Sequence, residues 1–256
     1  MAGGDLDYAV VVTAYGDSPF LRGCLQSLSA QTLKVPLFVA TSTPSDFIAG
    51  EAERAGATLA VNSVRAAGIA ADWNFALRAG KARYVTLAHQ DDTYAPRFCE
   101  ATMAAFARTS VASLCFTGYR EIDDDGRPRS SKISIVKGLI ETITLGETHS
   151  VKGRQLRAYL SLGNPLPCSS VTFDLARLAD FAFKGEMSSN LDWQAWLDLC
   201  DLGVVFARAP EKLVGRRHND LTETAKLIKS GKRKAEDLAM FERLWPKPIA
   251  RLIAGL

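Results

Sequence analysis

Residues Tyr8–Leu28 read YAVVVTAYGDSPFLRGCLQSL. The first six, YAVVVT, are continuous and β-branched, as in a strand buried on both faces. Ser18-Pro19 then supplies an N-cap and a first-turn proline, and Phe20, Leu21, Cys24, Leu25 and Leu28 follow at helical spacing. A buried strand feeding a helix is the unit of a parallel sheet, whose strands need crossover connections.

The unit recurs downstream. Pro36–Thr41 (PLFVAT) reads as a second strand, and Pro44-Ser45-Asp46 opens a helix that Gly56 ends. Ala57–Asn62 is a third strand and Ile69–Ala79 a third helix. Arg83–Ala88 (RYVTLA) is a fourth strand, breaking off into His89-Gln90-Asp91-Asp92. Four βα units in succession predict an α/β fold with a mostly parallel sheet flanked by helices, its crossovers right-handed. Ligands of such sheets bind outside the carboxyl ends of the strands, here after Thr13, Thr41, Asn62 and Ala88.

Further along the pattern loosens. Val111–Thr117 reads as a fifth strand and Asp123-Asp124-Asp125-Gly126 as a solvated hairpin turn. Ser170–Phe173 reads as a strand, Leu191–Leu202 as a helix carrying Trp193 and Trp196, and Val204–Arg208 as a last short strand. Glu121–Pro167 carries no clear element. Lys226–Lys234 holds five basic residues and precedes an amphipathic stretch, Asp237–Trp245.

With 256 residues, 47% of them hydrophobic, the chain can bury a full core without staples. A net charge of +3 gives no argument for nucleic acid as a partner. The five cysteines (Cys24, Cys99, Cys115, Cys168, Cys200) are odd in number and form no CxxC pair, which points to a reducing cytoplasm. Met1–Asp7 has neither the basic nor the apolar region of a signal peptide. No run of about 18 apolar residues occurs, so no membrane span is expected.

Asp91-Asp92 stands directly after a buried strand. Two adjacent carboxylates there need a cation or hydrogen-bond donors to stay ionised together. Oxygen ligands of this kind suit Mg²⁺ or Mn²⁺, which bridge carboxylates to substrate phosphates. The plain alternative is a turn of two solvated aspartates, with Asp92 capping the helix that starts near Pro96.

Tyr8–Thr32 resembles the opening of the family 2 glycosyltransferases: an apolar strand, a T-x-Y turn, then a helix ending L-x-S-L-x-x-Q-T. Gly68–Asp92 (GIAADWNFALRAGKARYVTLAHQDD) resembles the same family's asparagine-bearing helix, strand and D-x-D-D-like motif. Asn190–Leu199 (NLDWQAWLDL) resembles its acceptor-side helix. Arg216-Arg217-His218, with Thr222 and Thr224, resembles its late R-x-H-x-x-S/T-x-T segment. The four blocks follow the family's order and rough spacing.

The resemblance implies a GT-A fold, Rossmann-like with a C-terminal helical extension, and transfer of a sugar with inversion from a nucleoside-diphosphate donor to a saccharide or lipid-linked acceptor. On it, Thr13, Ala14, Tyr15 and Gln90 line the nucleotide pocket, with Asp72 and Asn74 against the ribose or diphosphate. Asp91 holds the divalent metal with Asp92 beside it, and Asp192 is the general base. His218 reaches the metal or diphosphate, and Arg216 or Arg217 neutralises the leaving group. Residues 1–220 would form the transferase domain, donor side to about 117 and acceptor side over 118–220, with a basic, amphipathic tail over 221–256.

Two positions depart from the pattern. His89 replaces the first aspartate of the D-x-D position and could bind metal, contact ribose or pack. The second strand, which in the family ends in a base-reading aspartate, ends in Ala40-Thr41-Ser42-Thr43, leaving Thr41 or Ser42 to meet the base.

Each residue also has a plainer reading. Asp192 would be the N-cap of its helix, His218 a solvated histidine, and Trp193 and Trp196 core. The tail, with Trp245–Leu256 (WPKPIARLIAGL), suits peripheral contact with an anionic membrane face, a homo-oligomer contact, or a solvated surface. A sugar nucleotidyltransferase is a rival reading, opposed by the lack of a basic residue in Ala14-Tyr15-Gly16-Asp17. A catalytically inactive glycan- or partner-binding relative is another, opposed by the presence of Asp91, Asp92 and Asp192 together.

Overall fold

Alternation along the first strand, β1 (Tyr8–Ala14), divides the core in two. Val11 faces Val85, Leu87, Ala76 and Leu77, whereas Val10 and Val12 face Leu21, Leu25 and Leu28. Both faces are therefore covered, which is why the strand carries no polar alternation. The structure, a computed structural model, describes residues 7–64, 68–129, 132–217 and 232–255.

Around β1 run β2 (Leu37–Thr41), β3 (Thr58–Val61) and β4 (Tyr84–His89), linked by helices α1 (Leu21–Ser29), α2 (Asp46–Arg54) and α3 (Ile69–Ala79). These four strands pair in parallel in the order β3-β2-β1-β4. Gly80, after α3, lets that helix sit close on the sheet, since an added Cβ would stand 3.1 Å from a Val11 methyl and 3.2 Å from one of Val85. Ser45 caps α2, its hydroxyl accepting the Ile48 N–H. The first helix starts later than expected, at Leu21. Ser18 instead forms a turn ahead of it, its hydroxyl accepting the Phe20 N–H.

Beyond β4 the sheet becomes mixed. It continues through β8 (Val171–Asp174), β6 (Leu114–Ile122), β9 (Phe206–Arg217) and the short β5 (Thr93–Tyr94), with β7 (Ser150–Val151) also pairing with β9. β8 is antiparallel to both β4 and β6, while β6 and β9 are parallel. The expected last strand, Val204–Arg208, is corrected to twelve residues reaching Arg217. Pro210, Glu211 and Lys212 break its apolar pattern where the pairing with β6 is irregular about Gly118, so the sequence reads as ending there. The fifth strand likewise runs on past Thr117 to Ile122.

Helix α4 (Phe98–Arg108) follows β5, and α5 (Lys132–Leu145) and α6 (Gly153–Tyr159) fill the segment without a sequence signal. α5 is rich in isoleucine, whose helix propensity is modest, so its pattern is mute. α7 (Leu191–Asp201) buries Trp193 and Trp196, whose indole N–H groups donate to the carbonyls of Leu160 and Leu166. Two C-terminal helices, α8 (Lys232–Glu242) and α9 (Lys247–Ile253), add Met240, Phe241 and Ala250 to that core. All five cysteines are buried and free.

Candidate active site

The carboxyl ends of β1, β2 and β4 open into a cavity of about 800 Å³. Thr13, Ala14, Tyr15, Ser42, Asp72, Gln90, Asp91, Asp92, Asp192 and Arg217 all line it, so the structure gathers most of the sequence candidates. Two sit behind the wall. Thr41 is buried, its hydroxyl accepting the Thr43 N–H, and Asn74 exchanges two hydrogen bonds with the backbone of Phe183. His218, Thr222 and Thr224 lie outside the described residues.

The turn after β4 is held from several sides. Gln90 bonds both the N–H and the carbonyl of Tyr15, tying the ends of β1 and β4 together. Asp92 is buried and accepts the backbone N–H of Arg217 at 2.9 Å. The Arg217 guanidinium donates to the carbonyls of Asp91 (2.9 Å) and Asp123, and lies 4.4 Å over the Phe20 ring. Arg217 thus clamps the Asp91-Asp92 turn against the Asp123 turn, which Gly126 and Arg127 close in solvent. Arg216 lines the cavity, and its charge acts on His89, Asp92 and Asp192.

His89, Asp91 and Asp92 bring three ligand atoms within 4.8 Å of one another. The His89 ring lies 5.1 Å from that of Trp73, and its buried Nε2 has no hydrogen-bond partner. Burial pushes the Asp92 carboxyl up to about 7, the Asp91 charge adds to this, and the Arg217 N–H and Arg216 oppose it. Burial lowers the pKa of His89, favouring the neutral imidazole, against the pull of Asp91. An orphaned imidazole nitrogen beside two crowded carboxylates is a donor set that fits a divalent cation.

Asp192 stands in the first turn of α7, just inside the cap position held by Asn190, so the plain N-cap reading is corrected. Its carboxylate accepts the Trp193 N–H at 2.8 Å. Burial raises its pKa, opposed by the Trp193 N–H, Arg216, Arg233 and Asn164. The loop before it is fastened by Glu236 of α8, whose carboxylate accepts the N–H groups of Ser188, Ser189 and Asn190 at 2.8–3.0 Å. Arg233, also on α8, reaches the cavity. The sequence reads Trp73 as packing, and it packs on His89 and Phe183. Arg233 and Glu236 were missed here. For Arg233 the signal was the basic run, whose position in space no periodicity reveals.

At the ends of β2 and β3 the Asp72 carboxylate accepts from the Ser42 hydroxyl (2.9 Å) and the Asn62 amide (3.2 Å), tying α3 to both strands.

Among curated proteins none matches this sequence. Solved structures share its fold. S. aureus TarS with UDP-GlcNAc is 12% identical, with a TM-score of 0.64 over 96% of this chain and 70% of TarS. A mannosyltransferase from Pyrobaculum calidifontis, in complex with GDP-Man and Mn²⁺, is 15% identical, with a TM-score of 0.64 over 97% of this chain and 68% of that one. Glucosyl-3-phosphoglycerate synthase from Mycobacterium tuberculosis, with Mn²⁺, UDP and glucosyl-3-phosphoglycerate, is 15% identical, with a TM-score of 0.61 over 93% and 79%. These establish the GT-A fold that the four sequence blocks implied. The profile of the glycosyl transferase family 2 matches residues 9–174, well over half of the chain, and this protein belongs to that family.

Proposed function

We propose that the chain transfers a sugar, with inversion, from a nucleoside-diphosphate donor to a hydroxyl of a saccharide or lipid-linked acceptor. The observation that carries this reading is one cavity shared by Asp192, Arg216 and the His89-Asp91-Asp92 cluster. Asp192 takes the proton of the acceptor hydroxyl, and its raised pKa brings it nearer the working pH of a general base. The acceptor oxygen bonds to the anomeric carbon as the bond to the diphosphate breaks, so one displacement inverts the centre. Arg216 stabilises the departing diphosphate. Arg217, whose guanidinium is committed to two carbonyls, keeps the Asp91-Asp92 turn in place.

Asp91, with Asp92 and His89 alongside, would hold Mg²⁺ or Mn²⁺, which when bound supplies positive charge to the diphosphate. Thr13, Ala14, Tyr15 and Gln90 form the nucleotide wall. Residues up to about 117 serve the donor and 118–220 the acceptor, with Arg216 and Arg217 reaching back to the donor side, while α8 and α9 brace the acceptor side. No helix among the described residues is long and apolar enough to cross a membrane. α9 exposes Ile249 and Leu252 beside Lys247 and Arg251, which suits peripheral contact with an anionic bilayer.

Thermal melts with UDP, GDP, dTDP and CDP, each with Mn²⁺ or chelator, test the reading. One nucleotide is expected to raise the wild-type midpoint with metal and to lose that effect in Asp91→Ala, because only a ligand of the folded state shifts the midpoint. Asp192→Asn should keep nucleotide binding and lose roughly 10²- to 10⁴-fold in transfer rate. No stabilisation by any nucleotide at millimolar concentration would instead favour a non-catalytic binding protein.

A further inference from the structure

We infer that Asp72 reads the base of the donor, and that this base presents a ring N–H beside a carbonyl: uracil, thymine or guanine, not cytosine or adenine. The inference rests on the transferase reading above. The end of β2, Thr41-Ser42-Thr43, has no carboxylate of its own, and the fold brings one there from the first turn of α3. The Ser42 hydroxyl donates to one Asp72 oxygen and the Asn62 amide to the other. Asn62 is itself buried, and its Oδ1 accepts the Val64 N–H, which fixes its amide with Nδ2 towards Asp72. The carboxylate is therefore oriented from both sides, half-buried, and still has lone pairs to offer the cavity it lines.

Such a group accepts hydrogen bonds and donates none. A diphosphate beside it would meet like charge. Cytosine N3 and adenine N1 are bare acceptors next to the amino group, so approach of that edge sets lone pair against lone pair. The N3–H of uracil or thymine, and the N1–H and amino group of guanine, meet the carboxylate as donors. A hydrogen bond to a charged partner, lost when the wrong edge is offered, discriminates by roughly ten- to a hundredfold. Ribose hydroxyls are the remaining donors in a nucleotide, and a contact to them would be blind to the base.

Calorimetric titration of the full chain with UDP, GDP, CDP and ADP, each with Mn²⁺, separates these cases. Wild type should bind UDP or GDP at least about tenfold more tightly than CDP and ADP. Asp72→Asn should weaken the preferred nucleotide roughly ten- to a hundredfold and leave CDP and ADP within about threefold. Ser42→Ala keeps the carboxylate but removes one anchor. It should lose part of the same selectivity, which preserves the test if Asp72→Asn fails to fold. Preference for CDP or ADP, or an equal loss for all four nucleotides in Asp72→Asn, would overturn the base assignment and leave the transferase reading standing. Failure of every nucleotide to bind would overturn both.

Discussion

Asp92 shows at the level of one residue how the site is set up against its own stability. Burial and the neighbouring Asp91 raise its carboxyl from 3.8 to about 7. The folded chain therefore holds that proton more tightly than the unfolded chain does. The stability linked to it is fully present below about pH 4 and is lost as the pH rises through 7. With chelator present, the midpoint of wild type is expected to fall between about pH 5 and pH 8 by more than that of Asp92→Asn. The amide in that variant retains an oxygen for the Arg217 N–H, so the comparison isolates the charge. Added Mn²⁺ should flatten the wild-type slope, and identical slopes for the two proteins would refute the assignment. The aspartate pair was legible in the sequence because it follows a buried strand abruptly. The clamp on it was not, since Arg217 is 125 residues away and meets Asp92 only through the pairing of β5 with β9.

At the scale of elements, β9 and α8 do most of the placing. Gly215 of β9 pairs with Thr93 of β5, and a Cβ there would overlap the Thr93 hydroxyl and stand 3.2 Å from an Ile122 methyl. Gly215→Ala must displace the Thr93 hydroxyl, one residue from Asp92, and crowd the Ile122 side chain, at a cost of about 1–3 kcal/mol in stability, measurable by denaturant unfolding. Glu236 of α8 accepts three successive N–H groups of the loop before Asp192. Glu236→Ala leaves those donors without their partner and is expected to cost about 2–4 kcal/mol, since bonds to charged groups are the stronger ones. A loss under about 0.5 kcal/mol would mean that water replaces the carboxylate without penalty. Sequence periodicity located α3 and α7 closely because each has a dense apolar face. It stopped short on β9 because a strand with three neighbours needs no regular alternation once a charged residue finds a partner on a packed helix, as Arg208 does with Glu141 of α5.

For the whole molecule, the C-terminal helices are part of the core rather than an appendage to it. Phe241 meets Trp193 edge to face at 5.1 Å, and Trp245 donates to the carbonyl of Ser161. Arg243 pairs with both Asp198 and Asp201 of α7. Deleting residues 232–256 would open the Trp193 face to water and remove Glu236 at once. The truncated chain is expected to melt at least 10 °C lower or to aggregate, a loss of several kcal/mol at the roughly 2–4 °C per kcal/mol of a domain this large. An unchanged midpoint would show that α7 keeps its packing without them. The sequence by itself determined the parallel half of the sheet, the ends of its strands as the place to look for a site, and the aspartates at positions 91, 92 and 192 as candidates for its chemistry. It did so because buried strands and amphipathic helices leave short-range periodicities and because paired carboxylates are conspicuous where a strand ends, whereas Asp192 emerged only from the resemblance of Asn190–Leu199 to a family block. Only the tertiary structure decided that Arg217 serves as a clamp, that Asp72 brings a carboxylate to the end of β2, and that a helix some 40 residues downstream holds the loop of Asp192. Those choices depend on hydrogen bonds between residues far apart in the chain, and such contacts leave no local pattern to read.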